Sequence, residues 1–132
     1  MVEPSSEPEK TASPFEQLFA RVPIGLYRST PDSKIVDVNP ALVKLLDYPD
    51  KPTLLGEAAD SLYADPETRL RWLAEMESCG TVSGFESQWK RRDGTVIWVE
   101  ENARAGRDTS GAILHYEGSA ADMTARRAIE ER

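Results

Sequence analysis

Cysteine and histidine are scarce in this sequence: Cys79 and His115 are the single examples among 132 residues. One cysteine forms no internal disulfide and builds neither a thiolate metal cage nor an iron–sulfur cluster. One histidine rules out a multi-histidine metal site, and no Ser–His–acid set is visible around it. Long apolar runs are missing too. The longest is Val96–Val99, far short of the roughly 20 residues of a membrane span, and no basic, apolar signal sequence opens the chain. Nor is there a surplus of positive charge: 16 Lys and Arg against 23 Asp and Glu give a net charge of −7 and a pI near 4.8. That balance argues against binding a phosphate backbone. The expectation is a cytoplasmic domain of a reducing compartment, with no metal, no nucleic-acid partner and no direct membrane contact.

Residues 1–13 carry Ser, Glu and Pro but no aromatic residue, which reads as a disordered leader. Ser13-Pro14-Phe15-Glu16 combines a cap, a first-turn proline and a glutamate three residues on, marking a helix start. Phe15, Leu18, Phe19 and Val22 then form one apolar stripe at i, i+3, i+4 and i+7, closed by Pro23 and Gly25. Strands are expected at 26–29 and 34–38 around the turn Thr30-Pro31-Asp32-Ser33. Asn39-Pro40 opens a helix with Leu42, Leu45 and Leu46 on one side, and 47–65 reads as loop and short helical turns. Asp65-Pro66 opens a longer helix to about Ser78, with Leu70, Leu73 and Met76 as its inner face and Gly80 as its stop.

The second half alternates with the period of strands. Phe85, Ser87 and Trp89 share one parity over 85–91, Asp93-Gly94 makes a hairpin, and strands follow at 95–105 and 112–121. Together with the two early strands these make a five-stranded sheet whose helices lie over one face, an α+β domain. The tail from Thr124 turns helical again, with Ala125, Ala128 and Ile129 opening an apolar seam, and the chain reads as cut from something longer.

Three sequence words recur in order: Ile35-Val36-Asp37-Val38-Asn39-Pro40-Ala41; the Phe85-Glu86…Arg91-Arg92-Asp93-Gly94 hairpin with Trp98-Val99-Glu100 after it; and Asp122-Met123-Thr124. In that order and spacing they resemble the PAS domain with its C-terminal PAC portion, over roughly Phe15–Arg127. The resemblance implies the PAS fold, with sheet order 2-1-5-4-3, an N-terminal cap helix, and the start of a C-terminal signalling helix. It divides the chain into the leader 1–13, a sensor domain 14–124 and a truncated signalling helix 125–132. It also implies a non-enzymatic sensory or dimerisation module of a bacterial signalling protein, a histidine kinase or similar. Its partners would be a second copy of itself, a C-terminal effector domain and a small molecule. Asp122 and Thr124 would join the last strand to the signalling helix as its relay.

The resemblance also locates candidate sites. With the family register, Ile97, Val99, Glu101 and Ala103 point inward, as do Leu114, Tyr116, Gly118 and Ala120 on the last strand. Candidate cavity residues are then Tyr27, Phe85, Ser87, Trp89, Val99, Glu101, Tyr116 and Ala120; whether they enclose a ligand or pack against one another stays open. Glu101 draws notice because an unpaired inward carboxylate is costly: a polar ligand or water cluster together with a partner such as Tyr27 or Tyr116 is expected, the alternative being a bulge that turns Glu101 outward. Trp98 faces outward, and the Phe15, Leu18, Phe19, Val22 stripe is its expected cover, at or near a homodimer interface. Haem-binding relatives use a histidine on the long helix, which residues 66–79 lack, and flavin photoreceptor relatives an Asn-Cys-Arg motif, also missing here. No haem or covalent flavin is therefore expected, while a loosely held small molecule stays open. Cys79 reads as a small, partly buried thiol, and nothing else in the sequence marks a catalytic centre.

Overall fold

The structure is a computed structural model that describes residues 13–130, apart from the side chains of Phe15, Ala128 and Glu130. The expected leader therefore lies, but for Ser13, outside the described residues. Ser13 and Glu16 close a capping box, each side chain 3.1 Å from the other's backbone nitrogen, and start helix α1 (Pro14–Arg21). Strand β1 (Gly25–Ser29) and strand β2 (Ile35–Val38) form the first antiparallel pair. Then come α2 (Pro40–Leu45), α3 (Lys51–Leu55), a 3-10 turn at Ala59–Leu62, and α4 (Pro66–Cys79). A meander of β3 (Thr81–Lys90), β4 (Val96–Arg107) and β5 (Ile113–Asp122) leads into α5 (Thr124–Glu130). The sheet order β2-β1-β5-β4-β3 is the one the resemblance implies.

Asn39 ties the first half together. Its Oδ1 accepts from Leu26 N at 2.8 Å and Leu42 N at 3.1 Å, and its Nδ2 donates to Ile24 O at 3.0 Å. One buried amide thus caps α2 and holds the entry to β1. The core lies between the helices and the inner sheet face, where Leu42, Leu46, Leu54, Trp72, Met76 and Val99 are almost wholly buried.

Four sequence expectations need correction. The inner face of α4 is Arg69, Trp72 and Met76, while Leu70 is 64% exposed. The helix is rotated because the Arg69 guanidinium stacks 4.4 Å from the Trp72 ring and 5.2 Å from the Tyr63 ring, and Nε pairs with Asp60 at 2.7 Å. Strand β3 begins at Thr81, not Phe85; a register shift between Val82 and Phe85 hides its alternation, with Gly84 at φ +60° and its N–H on Asn102 Oδ1. Leu114 is exposed because it falls at a register shift of the β4–β5 ladder, where Gly106 pairs with His115 and Arg107 with Ile113, and Ile113 packs against the core in its stead. Cys79 is exposed too, as the last residue of α4 before the left-handed Gly80.

Candidate functional site

The alternation expected for β4 holds: Ile97, Val99, Glu101 and Ala103 are buried. It places Glu101 in the core between β3 and β5, opposite Phe85 and Ala120. Tyr27 Oη, from β1, donates to Oε1 at 2.7 Å, and Tyr63 Oη, just past the 3-10 turn, donates to Oε2 at 2.7 Å. Each carboxylate oxygen therefore has one phenolic donor from a different element. The expected partner Tyr27 is present; Tyr116 is not the second. Its ring packs edge-on against Trp72, centroids 4.9 Å apart, and Tyr63 takes its place. Trp89 lies tilted between the two phenols, its ring centroid 6.2 Å from Tyr27 and 5.4 Å from Tyr63.

Glycine makes this geometry possible at one position. Gly118 pairs with Tyr27 across β1 and β5, and a Cβ there would fall 2.8 Å from Tyr27 Oη and 2.6 Å from Ala103 Cβ. Any larger residue pushes the phenol away from Glu101.

Burial pushes the Glu101 carboxyl up to about 7, against the opposing pull of the Tyr63 and Tyr27 hydrogen bonds and the Arg69 charge. Burial, and then the adjacent Glu101 charge, hold the Tyr27 and Tyr63 phenols well above their ordinary range.

The space beside this cluster is small. A cavity of about 20 Å³ is lined by Tyr27, Ser29, Leu62, Tyr63, Arg69 and Trp89 among others, about the volume needed for one water molecule. Of the eight candidate cavity residues, Tyr27 and Trp89 line it. Ser87, Val99, Glu101 and Ala120 are buried outside its wall, Tyr116 packs on Trp72, and Phe85 is half-buried beneath the Arg71 guanidinium at 5.3 Å. Tyr63 and Arg69 were not anticipated. Tyr63 sits in a segment without periodicity, and a helical arginine reads as solvent-facing from sequence; the one cue was a buried carboxylate in need of partners.

The space beside Glu101 is smaller than a cofactor pocket. Ligand pockets span roughly 300–1,000 Å³, no histidine or cysteine lines the cavity, and Cys79 is exposed at a helix end.

On the opposite sheet face, α5 is docked. Asp122 Oδ1 accepts from Thr124 N at 2.8 Å, and Trp98 O accepts from Met123 N at 2.9 Å. The Arg127 guanidinium lies 3.6 Å from the Trp98 ring centroid and donates to Glu86 Oε1 at 2.7 Å. The cover on Trp98 thus includes a cation from α5, and α1 packs near α2. Leu18 is 60% exposed, Phe19 and Val22 are half-buried, and the side chain of Phe15 is outside the described residues. Phe19 and Ala20 edge an open groove of about 1450 Å³ that reaches Val43 on α2 and Arg104, Glu117 and Ser119 on the outer sheet face. The larger volume is a solvent-open surface feature; Tyr27 edges it, but Glu101 does not.

A five-stranded antiparallel sheet in this order, with its helices over one face and a terminal helix capped by Asp122, defines a PAS-type fold. The chain belongs to the PAS domain family, whose model matches residues 22–125. No catalytic family is indicated. The chain is similar to the PAS domain of a protein from Colwellia psychrerythraea: 20% identity, TM-score 0.75, covering 85% of this chain and 96% of that one. It is also similar to a domain of a sensory box sensor histidine kinase/response regulator from Geobacter sulfurreducens, with 21% identity, TM-score 0.66, and 82% and 90% of the two chains covered. An RNA-binding light-oxygen-voltage receptor matches with 22% identity and TM-score 0.74 over 96% of this chain, which spans 36% of that receptor's length. No curated protein matches. Among the described residues no helix is long and apolar enough to cross a membrane.

Proposed function

We propose that this PAS domain is the sensory and dimerisation module of a bacterial signalling protein, a two-component histidine kinase or similar, working in the cytoplasm. Its body would be residues 14–124, with 125–132 the start of a signalling helix leading to an effector domain. The observation that carries this reading is the docking of α5: one helix end is tied to the sheet by Asp122, Thr124 and the Arg127–Trp98 stack. A change in the sheet shifts the surface on which that helix rests, and the helix leads toward whatever follows it. The partners on this reading are a second copy of the chain, placed at α1, and the effector.

The test is Asp122→Ala or Arg127→Ala in the parent protein. Altered effector regulation with an intact sensor fold supports the relay; unchanged regulation in both variants overturns it. A second reading, an architectural dimerisation domain without a ligand, is favoured over a bulky bound molecule by the filled interior, where Trp89, Tyr27 and Tyr63 occupy the space. Native mass spectrometry of the purified chain separates the two readings, since it reports co-purifying ligand and subunit number together.

A further inference from the structure

The interior polar groups converge on Glu101, which is 0% exposed. The groups that face it come from several elements: Tyr27 from β1, Tyr63 and, behind it, Asp60 from the 3-10 turn region, and Arg69 from α4. β3 and β5 meet it with Phe85, Trp89 and Ala120, which do not titrate. An ionised Glu101 satisfies both tyrosines at once, because each phenol donates to its own carboxylate oxygen.

We propose that the Glu101 carboxyl is a proton-binding sensor site, whose occupancy releases or restores the sheet's hold on the Ala59–Tyr63 turn and α4. This rests on the sensory reading above and names its input as the proton.

Protonating Glu101 adds a donor where both tyrosines now find acceptors. A proton on Oε2 turns that oxygen into a donor to Tyr63 Oη. The Tyr63 hydroxyl must then aim its own hydrogen elsewhere, and its polar neighbour Arg69 offers only N–H groups. The same event at Oε1 would disturb Tyr27, but Tyr27 sits in a strand paired on both sides, whereas the backbone of Tyr63 meets the sheet at an isolated bridge to Trp89. Tyr63 is the joint that yields. Its ring also carries Arg69, which pairs with Asp60 on the same turn, so the turn and the first half of α4 move together. The carboxyl sits near neutrality, where small pH changes alter its charge.

A route to the outside begins one residue away. Glu100 faces the outer side of β4, 3.9 Å from Arg126 on α5, so consecutive residues touch the buried switch and the signalling helix.

The experiment is a carbon-13 NMR titration of the 132-residue chain, carboxyl-labelled at glutamate, between pH 5 and 9. Glu101→Gln assigns the signal. The expected result is a resonance missing from Glu101→Gln that titrates with a midpoint of about 7. Backbone amides of residues 59–72 should move with the same midpoint in the wild type and stay still in Glu101→Gln. Tyr63→Phe, which removes one donor to the ionised form, should tighten proton binding by about tenfold or more, and it assigns the signal if Glu101→Gln does not fold. A midpoint below pH 5.5, or a titrating Glu101 with silent amides over 59–72, overturns the proposal. The two readings fail separately: regulation indifferent to Arg127 sinks the relay whatever Glu101 does, while a silent Glu101 beside Arg127-dependent regulation sinks only the proton as input.

Discussion

Replacing Glu101 by Gln keeps the shape of the side chain and removes its titration. The carboxyl lies at about 7 in the folded chain and 4.5 without the fold. Between those values the native state holds the extra proton, so this residue's contribution to stability falls as pH rises from about 4.5 through 7, then levels off. The full difference is about 3 kcal/mol. Urea denaturation of both proteins from pH 4.5 to 8.5 should show wild type losing roughly that much relative to Glu101→Gln, other carboxylates cancelling in the comparison; a constant difference would contradict the buried titration. Asn39 invites a second residue-scale test. Asn39→Ala strands Leu26 N, Leu42 N and Ile24 O near a residue with 0% exposure, and should cost about 2–4 kcal/mol in urea midpoint stability. At this scale the sequence was informative where the PAS resemblance supplied a register: it placed Glu101 inside, and the two-residue alternation from Ile97 to Ala103 agreed with it. Its partner Tyr63 was invisible because a tyrosine after a 3-10 turn obeys no repeat, and only the folded chain brings residues 63 and 101 together.

Helix α5 is the element most exposed to manipulation. It touches the body through Asp122, Met123, the Arg127–Trp98 stack and ion pairs to Glu86 and Glu100. The Glu86 side chain is 41% exposed, so its pair with Arg127 is screened and the stack on Trp98 is the stronger tie. Arg127→Ala should therefore speed amide hydrogen exchange across 124–130 by about tenfold and leave β1–β5 unchanged; exchange unaltered in α5 would mean the helix is held by something other than that stack. Elements built from local signals were readable before folding: the capping box at Ser13, the Asn39-Pro40 and Asp65-Pro66 starts, and the Asp93-Gly94 turn each satisfy their own backbone groups. The face of α4 was not, because choosing Arg69 over Leu70 depends on stacking partners from other elements. The first residues of β3 were missed for a related reason: a bulge breaks the two-residue repeat on which a strand is recognised.

Across the whole molecule, the helix-covered face of the sheet is filled by aromatic residues, and the opposite face is open along the groove beside α1. The fold order was readable from three words in sequence, but the volume they enclose was not, since it is the small remainder after Trp72, Trp89, Tyr27 and Tyr63 pack together. The partner surface proposed above is α1, an eight-residue helix too short to be stable alone, with Leu18 turned to solvent. Deleting residues 1–22 should give a monomer or an aggregating protein by light scattering; a well-dispersed dimer would move the interface elsewhere.

The three tryptophans divide the molecule in a way that makes it optically self-reporting. Trp72 and Trp89 are buried on the helix side, Trp89 beside the carboxyl cluster, while Trp98 lies on the far side under a guanidinium. No dye is needed to watch either side. With Trp72→Phe and Trp98→Phe, Trp89 alone should change emission with pH in step with Glu101; with Trp72→Phe and Trp89→Phe, Trp98 alone should respond to undocking of the helix. Comparing the two emission records in time would reveal whether the interior leads the exit helix or follows it.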